Sequence, residues 1–552
     1  MEKQKKIRRK ATSRRLTGII CLSFMLLIYV GCRNKQGEAD MDSGPRAAGP
    51  WVFWYWMHGA VSEQGIRADL EAMKSAGIRG AYIFAIKDTI SPFSYKNRVR
   101  QLTPEWWKMV RYAYKEAERL DLDMAFNVCD GFATAGGPWI TPELSMQRVV
   151  WSDTIVSGKQ FFSHTLPLLT ANLGYSRDIA VFAFPAGKGA GETSFGKDPV
   201  VSTSMAGVQL QFLAEKGNTR TFSTRDSCWI QYSFPEPFTC RMVIIHTGWY
   251  NYQANRLILE VSDDGVHFRK HCRLEPYRHG WQDIGVPATH LVEPVASRFF
   301  RFIYTPAGTE PGAEDLDNAK WIPELRIAGI ELSGEVKVNQ YEGKSGAAWR
   351  ITHRTTAADI PDGDCIDPAK VLDLTALTDE SGILRWEVPD GRWTILRMGH
   401  TPTGHDNTTG GGGRGPECDK LNPAAVKIQF HSWFGEMLRQ TEPEGKRVVK
   451  LLHVDSWECG SQNWSPVFRD EFRKRRGYEL LPWLPVMAGI PLKDAASSEK
   501  FLYDVRMTIS ELVACNFYGT LSELAHRNKC LFSAESIATV FTSDGLLHYR
   551  HT

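Results

Sequence analysis

Two parts of this chain alternate between segments typical of buried strands and segments typical of amphipathic helices. In the first part, the apolar runs at 51–59, 78–86 and 122–128 read as strands. The stretches between them, at 62–77 and 103–120, have helical periodicity. Parallel strands need long crossover connections, which are usually helices. The pattern therefore predicts an α/β layer or barrel built on a parallel sheet.

The same alternation returns near the end of the chain. Apolar runs at 447–456 and 529–536 read as strands, and helical patterns occupy 422–440, 465–477 and 498–528. With the first part, this makes five strands of the barrel type, whereas a closed (β/α)8 barrel needs eight. The sequence thus predicts a (β/α)8-type barrel that is incomplete in this chain, with an open sheet as the alternative.

Between these parts, from about 145 to 400, helical periodicity disappears and short alternating runs follow one another, as in antiparallel sheets. The stretch 206–333 resembles a discoidin-type, galactose-binding-like β-sandwich. A smaller β segment reads as a hairpin that turns at 389–391. The predicted division is a first barrel part at 51–144, a β-rich insertion at 145–345, the small β segment at 346–400, and the rest of the barrel at 401–552.

The first residues have the pattern of a targeting signal. A cluster of Lys and Arg leads into the apolar run 16–30, which is short for a membrane span and ends in Gly31 and Cys32. This ending resembles a bacterial lipobox, so we expect a signal peptide at 1–32, lipidation of Cys32 and a polar tether at 33–50. Such an anchor would place the protein at the bacterial outer membrane, facing the periplasm or the cell surface. The alternative is a plain signal peptide with a chance cysteine.

Composition excludes several other classes of protein. The net charge of +3 comes from the basic N-terminus, and no separate basic stripe indicates nucleic-acid binding. The cysteines are scattered without a CxxC pair, which argues against a zinc site and a disulfide scaffold, although Cys228 and Cys240 could form a bridge. The Gly-rich stretch 408–417 lacks phosphate-loop spacing, so we expect a mobile loop at a pocket mouth.

Polar residues follow several of the predicted barrel strands directly. His58, Asp130, Asp455, Glu458 and Glu535 all lie just past an apolar run. In a parallel barrel the chemistry takes place at these carboxyl ends, so the side chains should meet at one mouth. Glycoside hydrolysis needs two carboxyl groups on opposite sides of the scissile bond, and Glu458 and Glu535 on adjacent strands are the candidate pair. Alternatively, each accepts substrate hydroxyls or binds a metal.

Four motifs in order resemble glycoside hydrolase family 106, the α-L-rhamnosidases. They are the stretch from "WYWMHG" to "GAYIF", "GGPWITPELSMQ", the stretch from "VDSWECGSQNW" to "LPVMAG", and "LFSAES". The resemblance implies a (β/α)8 barrel with appended β-sandwiches, hydrolysis of terminal α-L-rhamnose with inversion, and dependence on calcium. It also implies that Glu458 is the general acid and Glu535 a base or water-positioning residue.

Other candidates follow from the chemistry of sugar binding. Indole rings form flat platforms for sugar rings, so Trp residues beside the carboxylates are stacking candidates, with core packing as the alternative. Calcium takes six to eight oxygen ligands, which the visible carboxylates could begin to supply. His405 and Asp406 either join the pocket or belong to a solvated loop. The stacking candidates are Trp54, Trp56, Trp139 and Trp457, and the hydroxyl-binding candidates are His58, Asn127, Asp130, Asp455 and Asn463.

These features predict a secreted bacterial lipoprotein that hydrolyses rhamnose-containing plant or microbial polysaccharide. Its expected partners are a carbohydrate substrate and, through the lipid anchor, a membrane, without nucleic acid. One alternative is a hydrolase of another sugar on the same scaffold. The other is a cell-surface glycan-binding protein that does not cleave its ligand.

Overall fold

The structure, a computed structural model, describes residues 49–87, 95, 98–247, 257–275, 278–279, 285–307, 323–352, 354–536 and 545–552. The predicted signal peptide, Cys32 and nearly all of the predicted tether lie outside the described residues. Within the described part of the chain, no helix is both long and apolar enough to cross a membrane.

The strands occur where the sequence predicts them, in two parallel blocks around a long antiparallel region. In chain order they are β1 (Trp51–Met57), β2 (Gly80–Ile86), β3 (Asp123–Asn127), β4 (Gln147–Ser157), β5 (Gln160–Thr165), β6 (Arg177–Pro185), β7 (Val200–Thr203), β8 (Phe222–Thr224), β9 (Cys228–Thr247), β10 (Ile258–Ser262), β11 (Arg269–Arg273), β12 (Arg278–His279), β13 (Ala288–Tyr304), β14 (Leu325–Ser333), β15 (Arg350–Ile351), β16 (Leu372–Asp373), β17 (Ile383–Val388), β18 (Arg392–Pro402), β19 (Val449–Val454) and β20 (Leu531–Ala534).

Several helices begin at a side chain that accepts from one of their first backbone N–H groups. The Ser62 hydroxyl accepts from the Gly65 amide, and the Thr103 hydroxyl accepts from the Trp106 amide. Single π-helical turns at His431–Gly435 and Val513–Tyr518 interrupt two long helices. The α-helices are α1 (Glu63–Ser75), α2 (Pro104–Arg119), α3 (Tyr341–Lys344), α4 (Pro423–Phe430), α5 (Glu436–Gln440), α6 (Glu444–Val448), α7 (Phe468–Arg476), α8 (Ala495–Leu512), α9 (Gly519–Arg527) and α10 (Gly545–Tyr549).

A parallel sheet carries the two α/β blocks together. Within the described ranges it has five strands in the order β1-β2-β3-β19-β20, and every neighbouring pair is parallel. This confirms the five predicted strands, while closure into a (β/α)8 barrel stays a prediction. The apolar faces of helices α1 and α2 join the sheet in one core, which includes Leu70, Val110 and Trp106.

The long interruption contains a seven-stranded antiparallel sheet. Its order is β11-β10-β13-β9-β14-β8, with β7 also paired to β9. The long strands β9 and β13 pair along most of their length, and their side chains form a separate apolar core around residues such as Tyr232, Phe300 and Phe302. The predicted antiparallel strands are confirmed, whereas the discoidin-like assignment stays a prediction. The suggested Cys228–Cys240 bridge is wrong, since both residues lie in β9 as free thiols.

A smaller β unit is built from chain segments that come before and after this sheet in the sequence. Strands β4 and β6 pair with β18, and β5 pairs with β17, so residues 147–185 and 372–402 share sheets. The hairpin predicted at 389–391 is therefore wrong, because β17 and β18 pair with different partners. Trp386 and Trp393 instead meet edge to face across the small core between the layers.

Candidate active site

Two carboxyl groups lie side by side at the carboxyl edge of the parallel sheet. Strands β19 and β20 pair in parallel and end level with each other, at Val454 and Ala534. Asp455 and Glu535 follow immediately, and the Glu535 amide donates to the Val454 carbonyl at 2.9 Å. Glu458 lies on the turn beyond Asp455, where it is exposed and accepts a hydrogen bond from the Ser456 hydroxyl at 2.9 Å.

The Asp455 carboxyl group is buried and only partly satisfied. One oxygen accepts from the Ser456 amide at 2.8 Å, while the other has no N–H or O–H donor among the described residues. The Glu535 carboxyl group lies within hydrogen-bonding reach of Asp455. Burial raises the pKa of Asp455 to about 7, and the charges of Glu535 and Glu458 add to this shift. Burial and the Glu458 charge also raise the pKa of Glu535. The pair is therefore suited to share one proton near neutral pH.

His453 completes the group, and the sequence reasoning missed it. Its Nδ1 lies 2.8 Å from the Ser533 hydroxyl on β20, and its buried Nε2 has no hydrogen-bond partner within the described chain. Burial lowers the pKa of His453 to about 4, so the ring is neutral at physiological pH. His453, Asp455 and Glu535 offer ligand atoms that lie within 4.8 Å of one another, which is close enough to hold a metal ion.

Exposed aromatic rings stand next to these polar groups. Phe53 and Tyr55 on β1 are 43% and 46% exposed, and Phe132 after β3 is 39% exposed. Tyr55 lies 5.7 Å from Phe132, and Phe53 lies 5.8 Å from His453, between ring centroids. Burial and the charges of Asp455 and Glu535 raise the pKa of Tyr55, which places its hydroxyl in the same electrostatic environment. We call Phe53, Tyr55 and Phe132 the aromatic wall.

The predicted stacking tryptophans are elsewhere. Trp54 and Trp56 are 6% and 3% exposed, and the Trp54 indole donates to Asp69 of helix α1 at 2.9 Å. Trp457 is 1% exposed and donates to the Gly460 carbonyl at 2.8 Å. For these three residues the core alternative holds. Trp139 is partly buried, with its indole N–H on Gln429 at 2.7 Å, and remains a candidate.

Three predicted hydroxyl-binding residues are buried in the framework instead. Asn127 accepts from the Val128 amide and donates to the Gly131 carbonyl. Asn463 accepts from the Val149 amide at 2.9 Å and donates to the Ser345 carbonyl at 3.1 Å. Asp130 is fully buried and binds loop amides. Of the other two candidates, Asp455 lies in the carboxyl cluster, and His58 follows β1 with a left-handed backbone, where its amide donates to the Ile86 carbonyl.

The Gly-rich loop lies at this edge of the sheet and is fastened by Asp130. The amides of Gly411 and Gly413 both donate to one Asp130 oxygen at 2.8 Å. Burial raises the pKa of Asp130 to about 7, although the two amides oppose the shift. The Phe132 amide donates to the Thr409 hydroxyl at 2.7 Å, so the loop also supports the aromatic wall. The expected loose loop is therefore tied down by hydrogen bonds.

A family model described as alpha-L-rhamnosidase, that of glycoside hydrolase family 106, matches residues 42–552. The chain belongs to this family. A solved rhamnosidase from Novosphingobium sp. PP1Y is similar, with a TM-score of 0.75 and 28% identity, covering 92% of this chain and 48% of that one. A Formosa agariphila protein named "Putative beta-glucuronidase" is 27% identical over 499 residues, which are 90% of this chain and 30% of that protein. This chain thus spans about half the length of the solved rhamnosidase.

In this family member, a buried ion pair lies beneath the turn that carries Glu458. Lys420 and Glu417 are both fully buried, with 2.7 Å between the ammonium nitrogen and the carboxylate. The Lys420 ammonium also lies 5.0 Å from the centre of the Trp457 ring. The Glu417 carboxylate accepts from the Ala135 amide at 2.9 Å, so the pair connects this turn to the loop after β3.

The residues His405 and Asp406 separate in the fold. Asp406 forms an ion pair with Arg414 at 2.9 Å within the Gly-rich loop. His405 lies against Gly460, where a side chain on the glycine would collide with the imidazole. His405 therefore packs under the Glu458 turn, whereas Asp406 braces the loop.

Proposed function

We propose that this chain carries the acid and base of an inverting α-L-rhamnosidase, with Glu458 as general acid and Glu535 as general base. The observation that supports this most is the meeting of Asp455, Glu458 and Glu535 at the ends of two adjacent parallel strands. An inverting glycosidase needs one carboxyl group to protonate the leaving oxygen and another to activate water. Glu458 is exposed on its turn and can reach a leaving group, while Glu535 lies deeper.

Asp455 would act on Glu535 as a positioning residue. Before a cation binds, its protonated carboxyl group would donate a hydrogen bond to Glu535 and so favour the ionised form that a general base needs. The neutral His453 imidazole, hydrogen-bonded to Ser533, would lie beside Asp455 without adding a charge to the cluster. The aromatic wall would pack against the apolar face of the sugar.

We also propose that calcium binds at these carboxylates. The oxygen of Asp455 that lacks a donor, facing a second carboxyl group, suits a hard cation that prefers oxygen ligands. Asp455 and Glu535 would hold the ion, and His453 is unsuited to it because calcium takes oxygen ligands. Bound there, the cation would neutralise the carboxylates and orient vicinal sugar hydroxyls. Since metal and proton compete for the same oxygens, calcium binding should release the shared proton. The cation would then replace the Asp455 proton in favouring the ionised form of Glu535.

The preferred substrate is a terminal α-L-rhamnose on a plant or microbial polysaccharide. The name of the Formosa protein suggests a second candidate, a β-glucuronide. Within the described chain, the groups around the carboxyl cluster include the Ser456 and Ser533 hydroxyls, a neutral histidine and aromatic rings. Before a cation binds, the negative charge of the carboxyl cluster would disfavour an anionic sugar, and the aromatic rings would suit the apolar face of a neutral deoxy sugar. We further propose that Cys32 is lipidated and anchors the protein at the outer membrane.

The test is hydrolysis of an aryl α-L-rhamnoside and of an aryl β-D-glucuronide by the purified chain. We expect calcium-dependent release from the rhamnoside, with inversion at the anomeric carbon detected by proton NMR. Glu458→Gln and Glu535→Gln should each lower the rate by about 10²–10⁴-fold. The matched control is Glu523→Gln, which changes an exposed glutamate of helix α9.

Full activity in either active-site variant would contradict the assigned roles. Release from the glucuronide alone would favour the second candidate substrate. If the folded protein binds L-rhamnose in calorimetry but releases no sugar from either aryl glycoside, the result favours a glycan-binding protein that does not cleave its ligand.

A further inference from the structure

A separate small cavity opens in the seven-stranded sheet, remote in sequence from the carboxyl cluster. It encloses about 150 Å³, and its lining includes Phe195, Asn218, His246 and Gly329. A single water molecule needs about 10–15 Å³ of such space, so the cavity has room for several waters. It is therefore suited to a group of the size of one sugar ring.

The imidazole of His246 is held in place by a hydrogen bond to Glu331. Its Nε2 lies 3.0 Å from one oxygen of Glu331, and the other oxygen accepts from the Thr193 hydroxyl at 2.6 Å. Burial would raise the pKa of Glu331, but the hydrogen bonds from His246 and Thr193 outweigh it, and the pKa is lowered. Because Glu331 is ionised, Nε2 carries the proton and Nδ1 becomes the acceptor nitrogen.

The residue that faces His246 across the sheet is a glycine. Gly329 lies opposite His246 in the ladder between β14 and β9, so no side chain from this position covers the imidazole. The Phe195 ring stands 5.7 Å from the His246 ring, at 43° to it, on the wall of the cavity. A fixed polar nitrogen beside a partly exposed aromatic face is the combination that a hydroxylated ring needs.

The acidic side chains at the cavity disfavour an anionic ligand. Glu215 is exposed on its rim, and Glu331 lies behind His246, so an anion would meet two carboxylates. Among the described residues at this cavity, one imidazole and two carboxylates are fewer ligands than a closed metal site needs. We infer that this cavity between His246 and Phe195 is a second carbohydrate-binding site, which takes one neutral sugar ring independently of the carboxyl cluster.

The experiment titrates the full chain with L-rhamnose, D-galactose, D-glucose and D-glucuronate, followed by isothermal calorimetry and by ligand-observed NMR. We expect at least one neutral sugar to bind with a Kd in the millimolar range, which is usual for such a small contact. His246→Ala and Phe195→Ala should each weaken this binding about tenfold or more. The matched control is His271→Ala, an imidazole of β11 in the same sheet that bonds to the Glu293 carbonyl.

Glu458→Gln and Glu535→Gln should leave this binding unchanged, which separates it from the proposed active site. The inference is overturned if no neutral sugar binds, if both cavity variants bind as the wild type does, or if only the two glutamate variants lose binding. Thermal unfolding checks each variant. If His246→Ala is unfolded because Glu331 loses its partner, Phe195→Ala alone decides the result.

Discussion

Replacing Lys420 with methionine should loosen the turn that carries Glu458. Methionine keeps the length and apolar character of the side chain but removes its charge. Glu417 would then remain fully buried without its cation, and one of its oxygens already lacks a donor. Breaking a buried pair from one side typically costs about 3–5 kcal/mol, because the remaining charge is left uncompensated. We expect a loss of that size in the local free energy of opening.

Hydrogen exchange followed by mass spectrometry is the suitable assay. A chain of this size need not unfold in a single step, so one global midpoint would not report on this turn. Peptides covering 415–422 and 455–462 should exchange faster in Lys420→Met. The matched control is Lys446→Met, which breaks an exposed pair with Glu442 of 2.6 Å and should cost at most about 1 kcal/mol.

A double variant decides whether the charge is responsible. Adding Glu417→Gln to Lys420→Met removes both charges, and the amide oxygen can still accept from the Ala135 amide. The double variant should therefore be more stable than Lys420→Met alone, with a coupling energy of up to about 3 kcal/mol. The buried charge is not responsible if Lys420→Met speeds exchange no more than Lys446→Met does, or if adding Glu417→Gln restores none of the lost stability.

Three further results are expected. Burial raises the pKa of Asp130 to about 7, above the unfolded value near 3.9, so its contribution to stability decreases as pH rises from about 4 to 7. Thermal unfolding from pH 5 to pH 8 should therefore show a larger loss for the wild type than for Asp130→Asn. Calcium at 100 times its Kd should stabilise the folded wild type by about 2.7 kcal/mol. The Tm should therefore rise when calcium is added and fall again when it is removed, with little change in Asp455→Asn. Phe132→Ala should weaken L-rhamnose binding about tenfold, whereas Phe161→Ala, an exposed ring on β5, should not.

The strands and helices were predictable because their periodicity is local, but the faces of β1 were not. The run "WVFWYWM" is apolar at every position, and a continuous apolar strand does not reveal which side faces the helices. The structure turns Trp54 and Trp56 toward the helices and leaves Phe53 and Tyr55 beside the carboxylates. Assigning the faces of β1 one residue out of register therefore predicted Trp54 and Trp56 at the site, where the structure has Phe53 and Tyr55.

His453 could have been found by the same rule of alternation. It stands two residues before Asp455, which directly follows β19, so an extended chain places both side chains on the same face of the sheet. Its burial within an apolar run made it look like an ordinary core residue. The role of Asp130 could not be predicted from nearby sequence, because its partners Gly411 and Gly413 follow the insertion, about 280 residues later in the chain. The hairpin failed for the same reason, since β18 pairs with β4 and β6.

The position of the insertion explains why so many of these contacts meet at the site. The chain leaves the parallel sheet after β3 and returns in β19, and these two strands are direct neighbours, with Asn127 opposite His453. The Val128 amide donates to the His453 carbonyl at 2.8 Å, so the exit point touches the strand that carries the site. A long insertion between adjacent ends costs little additional entropy. Its first and last loops, which hold Phe132 and the Gly-rich loop, must then border the carboxylates. The insertion can therefore vary in its distant sheets while its two ends continue to build the pocket.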